Sequence, residues 1–336
     1  MRAYELGPGF GFDKLKLVER PDPSPPSLGP RKVLVEWRAW SLNYRDLLVV
    51  TGAYNPRLRL PLIPLSDGAG EVVAVGPGTT RFRPGDRVLS CFMQQWIEGT
   101  LTADKARSDL GGNLPGVLTE SSELDEEGLV SIPEHLSFEE AATLPCAALT
   151  AWNALVVSGK LQAGETVLLQ GTGGVSLFAL QFAKLHGAEV VMTSSRDDKL
   201  ARAKQLGADI GINYKSTPEW GKRALEMGGP VDHVVEVGGG GTLSESLRAV
   251  RYGGHIALIG ILSGAAPVNP LPILMKGVRV QGIYVGSRNM FEAMNRAIAL
   301  HRIRPVIDRV FSFEEAVEAL KYLQSAAHFG KVVIRR

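Results

Sequence analysis

A two-domain α/β chain, with one domain built on a doubly wound parallel sheet, is predicted by three features of these 336 residues. In Glu165–Arg196 a short apolar strand (Thr166–Leu169) runs into Gly171-Thr172-Gly173-Gly174-Val175. An apolar helical pattern and a second apolar strand (Val190–Thr193) follow. That order holds a dinucleotide pyrophosphate on a helix N-terminus. The rhythm also changes near Glu134, from short strands between Gly and Pro turns to alternating helices and strands. Finally, the length exceeds what one typical core organises.

The apolar fraction of 45% and charged fraction of 21% are those of a soluble globular protein. A formal charge of +2 gives no reason to propose nucleic acid or an anionic membrane as partner. The start, MRAYELGPGF, lacks a signal-peptide apolar core, and no run reads as long enough to span a bilayer. Only Cys91 and Cys146 are present, which argues against a disulfide framework and fits a reducing cytoplasm.

Taken in order, Pro21–Pro30 reads as an extended connector. Lys32–Ala39 alternates apolar and polar residues as a half-buried strand does, and Gly70–Val75 and Asp86–Leu89 continue as short strands. Gln94–Gly116 is polar, glycine-rich and without period, a long excursion beside the site. Further strands are predicted at His233–Val237, Ile256–Ile259 and Val278–Tyr284, with helices between most of them, which implies a parallel sheet covered on both faces. Arg304–Arg336 adds a strand, an amphipathic helix (Phe313–Gln324) and a final strand. The expected division is a first domain over 1–130, a cofactor domain over 131–288, and a return to the first domain over 289–336.

In the cofactor domain, Gly171 permits the tight turn and Gly173 lets the backbone approach phosphates without a Cβ in the way. Ser176 replaces the third glycine of the G-x-G-x-x-G pattern and is small enough for close helix–strand packing. At the end of the second strand, where an acidic residue would bind a ribose 2′-hydroxyl, the chain has Ser194-Ser195-Arg196, with Lys199 a turn later. Hydroxyls and cations suit a 2′-phosphate, so NADPH is favoured over NADH, although Asp197 and Asp198 partly neutralise the two cations. The turns after two later strands, at Val237-Gly238 and Ile259-Gly260, let the backbone lie near the same cofactor.

These residues carry a resemblance to the medium-chain dehydrogenase/reductase superfamily over nearly the whole chain. The matching blocks include Asn43-Tyr44-Arg45-Asp46, Gly68-Ala69-Gly70-Glu71-Val72-Val73, Pro84-Gly85-Asp86-Arg87-Val88, Ala141-Ala142-Thr143-Leu144-Pro145, Leu206-Gly207-Ala208-Asp209 and Gly330-Lys331-Val332-Val333. The resemblance implies a GroES-like, β-rich catalytic domain beside a Rossmann dinucleotide domain, with substrate in the cleft between them. It also implies a homodimer joined around Val278–Tyr284, an apolar segment that would otherwise be an exposed sheet edge. Lys199 and Tyr214 match positions of NADPH-binding members, Thr150 a position beside the nicotinamide ribose, and Asn43 an asparagine near the nicotinamide. Phe329 and Lys331 lie in a block that contacts cofactor, and a role for His328 beside them is open.

Within that superfamily the chain is similar to the zinc-free quinone oxidoreductase-like branch. Asn43 and Ser66 stand where the zinc branch has its cysteine and histidine ligands, and Cys146 stands where a third ligand belongs. One thiolate with Asn and Ser is a poor Zn²⁺ site. Asp67 as an oxygen ligand keeps a metal alternative open. Without a metal, hydride transfer to a conjugated carbonyl or quinone needs a hydrogen-bond donor for the developing oxyanion. The candidate donors are Asn43, Tyr44 and Ser66, with Tyr44 equally able to pack against a substrate ring. Arg45 and Asp46 read as a structural pair at a helix start. The expected function is NADPH-dependent reduction of a quinone or α,β-unsaturated carbonyl. The alternatives are an alcohol dehydrogenase acting on simple alcohols or aldehydes, and an NADPH-binding protein with little turnover.

Overall fold

The structure is a computed structural model that describes residues 1–23 and 27–336; residues 24–26, within the Pro21–Pro30 connector, lie outside the described residues. In chain order its strands are β1 (Arg2–Leu6), β2 (Leu15–Glu19), β3 (Lys32–Ser41), β4 (Asp67–Val75), β5 (Arg87–Ser90), β6 (Ser121–Asp125) and β7 (Leu129–Ser131). They continue as β8 (Thr166–Gln170), β9 (Glu189–Ser194), β10 (Ile210–Asn213), β11 (Val231–Glu236), β12 (Val250–Leu258), β13 (Arg279–Gly282), β14 (Ile307–Ser312) and β15 (Lys331–Arg335). The chain divides into two compact units, Met1–Leu149 with Gly286–Arg336, and Thr150–Val285.

The first unit is a seven-stranded sheet in the order β14-β15-β3-β4-β5-β7, with β6 also paired to β3 and a separate β1–β2 hairpin. All its pairs are antiparallel except β14–β15. β3 organises this sheet because its ten residues bury Trp37 and Trp40 completely. Trp40 packs on Phe313, with ring centroids 4.9 Å apart. The terminal strand β15 lies between β14 and β3, so the last residues complete the sheet begun by the first.

The second unit is a six-stranded parallel sheet in the order β10-β9-β8-β11-β12-β13. β8 is buried at every position, as a central strand of a two-sided parallel sheet must be. The chain moves from β8 to β9 on one side and later to β11 on the other, which makes the C-terminal end of β8 a topological switch point.

Several expectations are adjusted. Residues 131–149 belong to the first unit, not to the cofactor unit. They read as the start of the helix–strand alternation because they are helical: Ser137 and Glu140 cap Phe138–Ala141 reciprocally, and Leu144–Ala148 continues as a π-helical turn. The expectation that no run is long enough to span a bilayer is also corrected. Phe138–Ser158 passes on length and composition, but 78% of its most apolar window is buried within the protein, as in a core helix. The strand expected at Val278–Tyr284 is confined to Arg279–Gly282.

Candidate active site

β3 ends at Ser41, and Asn43 opens the helix Tyr44–Val50. The Asp46 carboxylate accepts from the Asn43 backbone N–H at 2.8 Å, satisfying a donor that the helix start leaves free. The adjacent cation does more than pair with Asp46. Arg45 donates to the Leu110 carbonyl at 2.7 Å, pairs with Asp109, and lies 5.0 Å from the ring centroids of both Tyr54 and Phe92. It therefore anchors the turn at Asp109–Leu114, within the excursion that showed no sequence period.

Register brings four distant residues to one sheet end. Val333 of β15 pairs with Ser41 of β3, and Ser41 pairs with Asp67 of β4. Lys331, Asn43, Ser66 and Asp67 consequently converge, although Asn43 and Lys331 are 288 positions apart. The Lys331 ammonium is buried and donates to the Leu42 carbonyl and to Asn43 Oδ1, both at 2.6 Å. Asp67 is fully buried; its Oδ1 accepts from the Ser66 hydroxyl at 2.7 Å and its Oδ2 from the Cys146 backbone N–H at 3.2 Å. Leu65, just before this pair, holds a left-handed φ of 68° and is fixed by the Val117 N–H on its carbonyl at 3.0 Å. Strain of this kind persists only where the surroundings over-determine it.

Burial governs the charges here. It pushes the Asp46 carboxyl up to about 7, with the Asp67 charge adding to the rise and Arg45 opposing it. It also raises Asp67, against which Lys331 acts as the chief compensating charge. The Cys146 thiol is pushed far up by burial and then by Asp67, so it stays protonated. Lys331 is lowered by burial and held up by Asp67, Cys146 and Asp46.

Of the expected donors, Asn43 is the buried one whose N–H group is not committed to a well-formed bond among the described residues. Its Oδ1 is taken by Lys331, while its buried Nδ2 makes no well-formed hydrogen bond among the described residues and lies against Asp67, whose charged form it favours. The Ser66 hydroxyl is buried and spends its proton on Asp67. Tyr44 is half exposed at 49%. Lys331, expected as a cofactor contact, directs its ammonium to Asn43 and Leu42, and Phe329 beside it is buried.

The donor set does not fit Zn²⁺. Of the three positions where ligands would stand, Asn43 has its oxygen on an ammonium and Ser66 donates to Asp67, which leaves Cys146 as a single thiol, too few soft ligands for a Zn²⁺ site. Among the described residues no group of three or more His, Cys, Asp or Glu is arranged to hold a metal.

The expected dinucleotide residues of the second unit gather at the C-terminal ends of its strands. Gly171 follows β8 with φ 71°, a conformation that favours glycine, and a Cβ built on Gly173 would meet nothing within 4 Å. The helix Gly174–Leu185 starts there, placing its free N–H groups beside Thr172 and Val175. Ser176, in the third-glycine position, donates to the Gln170 carbonyl at 2.6 Å and so ties the helix to β8. Ser194 ends β9 and Ser195 follows it, and the Tyr214 N–H bonds the Ser194 carbonyl at 3.0 Å. Arg196 is held by Asp198 through two bonds of 2.9 and 2.7 Å, and Lys199 is buried. Val237, Gly238, Ile259 and Gly260 follow β11 and β12, and the Ile259 N–H bonds the Glu236 carbonyl at 2.8 Å. Thr150 is buried at the start of this unit.

Glu236 went unread in the sequence. Fully buried at the end of β11, it accepts from Gly238 N–H (2.8 Å), Gly239 N–H (2.9 Å), Thr242 (2.5 Å), Gln170 (2.6 Å) and Ser246. An acidic residue closing an apolar strand before Gly238-Gly239-Gly240-Gly241 was the available signal. Its job is to hold that loop against β8.

Comparison with known proteins agrees with this architecture. Residues 29–134 match the alcohol dehydrogenase GroES-like domain family, and residues 174–299 match the zinc-binding dehydrogenase family. A zinc-type alcohol dehydrogenase-like protein of Schizosaccharomyces pombe is 45% identical over 97% of this chain and 96% of its own length. A quinone oxidoreductase-like protein 2 of Bos taurus is 30% identical over 95% and 88%. The crystal structure of an NAD-dependent alcohol dehydrogenase superposes with a TM-score of 0.90 at 33% identity, covering 100% of both chains. Fold and relatives together define an NAD(P)-dependent oxidoreductase with a GroES-like domain and a Rossmann domain. The chain belongs to the medium-chain dehydrogenase/reductase superfamily, in its zinc-type alcohol dehydrogenase-like branch.

Proposed function

We propose that this protein is an NADPH-dependent reductase that delivers hydride to a quinone or an α,β-unsaturated carbonyl without catalytic zinc. The observation that carries the reading is the Asn43 amide, whose oxygen is fixed by Lys331 while its buried N–H group makes no well-formed hydrogen bond among the described residues and lies against the Asp67 carboxylate. An amide donor placed where a Lewis acid would otherwise stand suits an acceptor that needs only oxyanion stabilisation. A bound reduced dinucleotide would supply the hydride, Asn43 would offer its N–H to the acceptor oxygen as charge develops there, and solvent water would then protonate the resulting enolate. Ser66 and Cys146 support the donor indirectly, because their bonds fix the Asp67 carboxylate against which the Asn43 amide lies.

For the dinucleotide, Gly171, Gly173 and the helix N-terminus at Gly174 suit the pyrophosphate. Ser194, Ser195, Arg196, Lys199 and Tyr214 suit a 2′-phosphate, with Asp198 displaced from the Arg196 guanidinium. Replacing Arg196 and Lys199 together by Ala is expected to weaken NADPH at least tenfold more than NADH, since each charge-assisted phosphate bond contributes about 1.5–3 kcal/mol. Fluorescence titration of both dinucleotides checks this, and equal losses refute the 2′-phosphate assignment. A homodimer is also part of the proposal: β13 is a sheet edge, and Leu271, Leu274 and Met275 beside it are exposed.

A second reading, oxidation or reduction of simple alcohols and aldehydes, is favoured by the names of two relatives, an alcohol dehydrogenase and an alcohol dehydrogenase-like protein. The deciding experiment follows NADPH consumption by chelator-treated protein on quinones, enones, aldehydes and alcohols. Turnover confined to quinones or enones supports the proposal, and turnover of simple aldehydes restored only by Zn²⁺ refutes it. Asn43→Ala is expected to lower kcat about 100-fold with NADPH affinity little changed, the scale of losing one oxyanion donor.

A further inference from the structure

The disagreement between the branch this chain belongs to and the residues at its site points to a substitution of one cation for another. We infer that the Lys331 ammonium is a resident cation standing in for a metal: it orients the Asn43 amide, balances the buried Asp67 carboxylate, and excludes a metal ion. This deepens the proposed reductase reading and, for its kinetic part, rests on it.

Three observations carry it. Lys331 Nζ is buried and spends two of its three N–H groups on acceptors 2.6 Å away, the Leu42 carbonyl and Asn43 Oδ1. An amide oxygen bonded to an ammonium is not available to ligate a metal, and its orientation is fixed: Nδ2 is the end turned away from Lys331. The surrounding groups form a set that balances one internal positive charge. Asp67 is fully buried and held by Ser66 and by the Cys146 N–H, so its carboxylate is fixed within this cluster. Arg45, the other nearby cation, is committed to Asp109 and the Leu110 carbonyl, which leaves Lys331 as the charge that answers Asp67. Finally, strand register makes the arrangement: Lys331 opens β15, two residues before the Val333–Ser41 pair, and Asn43 lies two residues beyond Ser41. The amine cannot be moved without shifting the sheet.

Lys331 is therefore a positioning residue. It touches no reacting atom; it acts through Asn43. Lys331 and Asp67 are opposite charges linked through Asn43 within one buried cluster; removing one leaves the other uncompensated, and removing both relieves that penalty.

The test uses the full-length wild type with Lys331→Met, Lys331→Arg, Asp67→Asn, Lys331→Met/Asp67→Asn and Cys146→Ser. Two readouts need no turnover. In thermal unfolding, Lys331→Met and Asp67→Asn are each expected to lower Tm, and the double variant is expected to be more stable than the sum of the two losses allows. In Co²⁺ titration, the wild type is expected to develop no thiolate-to-cobalt absorption. Strictly additive Tm losses overturn the inference, and so does one Co²⁺ per wild-type chain whose absorption disappears in Cys146→Ser. The kinetic readout separates positioning from mere support of the fold. On an acceptor the wild type reduces, Lys331→Met is expected to lower kcat by about 10- to 100-fold with KM for NADPH unchanged, and Lys331→Arg to recover part of it. Unchanged kcat in a folded Lys331→Met protein overturns the positioning role. A wild type inactive on every acceptor refutes the reductase reading, while the unfolding and cobalt results still decide the resident cation.

Discussion

At Asp46, burial and helix capping pull in different directions. The carboxylate accepts the Asn43 N–H, which favours its charge, yet it is wholly buried beside Asp67 and is raised from 3.8 to about 7. The native state thus binds this proton more tightly than the unfolded chain does. Its stabilising contribution is complete below pH 3.8 and is lost as pH rises through about 7. The advantage of wild type over Asp46→Asn in urea unfolding should therefore shrink across that interval, by an amount on the order of a few kcal/mol. A difference that is flat with pH would show that Asp46 titrates normally. The sequence placed Arg45 and Asp46 correctly at a helix start, since capping is local. That Asp46 would be buried against Asp67, or that Lys331 would reach Asn43, depends on the register of β15, β3 and β4, which no local pattern encodes.

The strands carry the next level of organisation. The β8–glycine turn–helix unit was readable because a tight turn, a free helix N-terminus and two apolar strands all lie within thirty-odd residues. β10 and the β1–β2 hairpin were missed: they are short and half buried, so they show neither a long apolar run nor clean alternation. At the opposite end of the parallel sheet, β11 and β12 pair His233 with His255, and their Nδ1 atoms lie 3.4 Å apart. His233 Nε2 lies 2.9 Å from Glu165, and His255 Nε2 lies 3.4 Å from the Ser158 hydroxyl. Burial first, then Arg279 and His233, lowers His255 from 6.5 to about 4. Its sign is the reverse of Asp46. The native state keeps it neutral, so its contribution is present above pH 6.5 and is lost as pH falls through about 4. The advantage of wild type over His255→Gln should grow as pH rises across this window, again on the order of a few kcal/mol. A variant with the wild-type pH slope would refute the assignment. Because Asp46 and His255 titrate over overlapping intervals with opposite slopes, only the single variants expose either one.

At the scale of the molecule, the discontinuous first unit makes the end of the chain a structural keystone. β15 is flanked by β14 and β3, and Lys331, Val332, Val333 and Ile334 are all buried. The three apolar side chains alone account for about 5–9 kcal/mol of burial, comparable with the whole stability of a typical domain. Removing residues 331–336 also separates β14 from the sheet and takes away the ammonium that holds the Asn43 amide. The second unit is one continuous segment with its own core around Leu168, Val191, Val234 and Ile256. Truncation should therefore unfold the first unit and spare the second. Limited proteolysis of the truncated chain should cut within Met1–Leu149 and leave a fragment near Thr150–Val285, and that chain should still bind a reduced nicotinamide dinucleotide, read by its fluorescence, while losing all turnover. If the first unit instead resisted protease as the full-length protein does, β15 would be dispensable, and the placement of Asn43 and Asp67 would rest on local contacts around Asn43 and not on strand register.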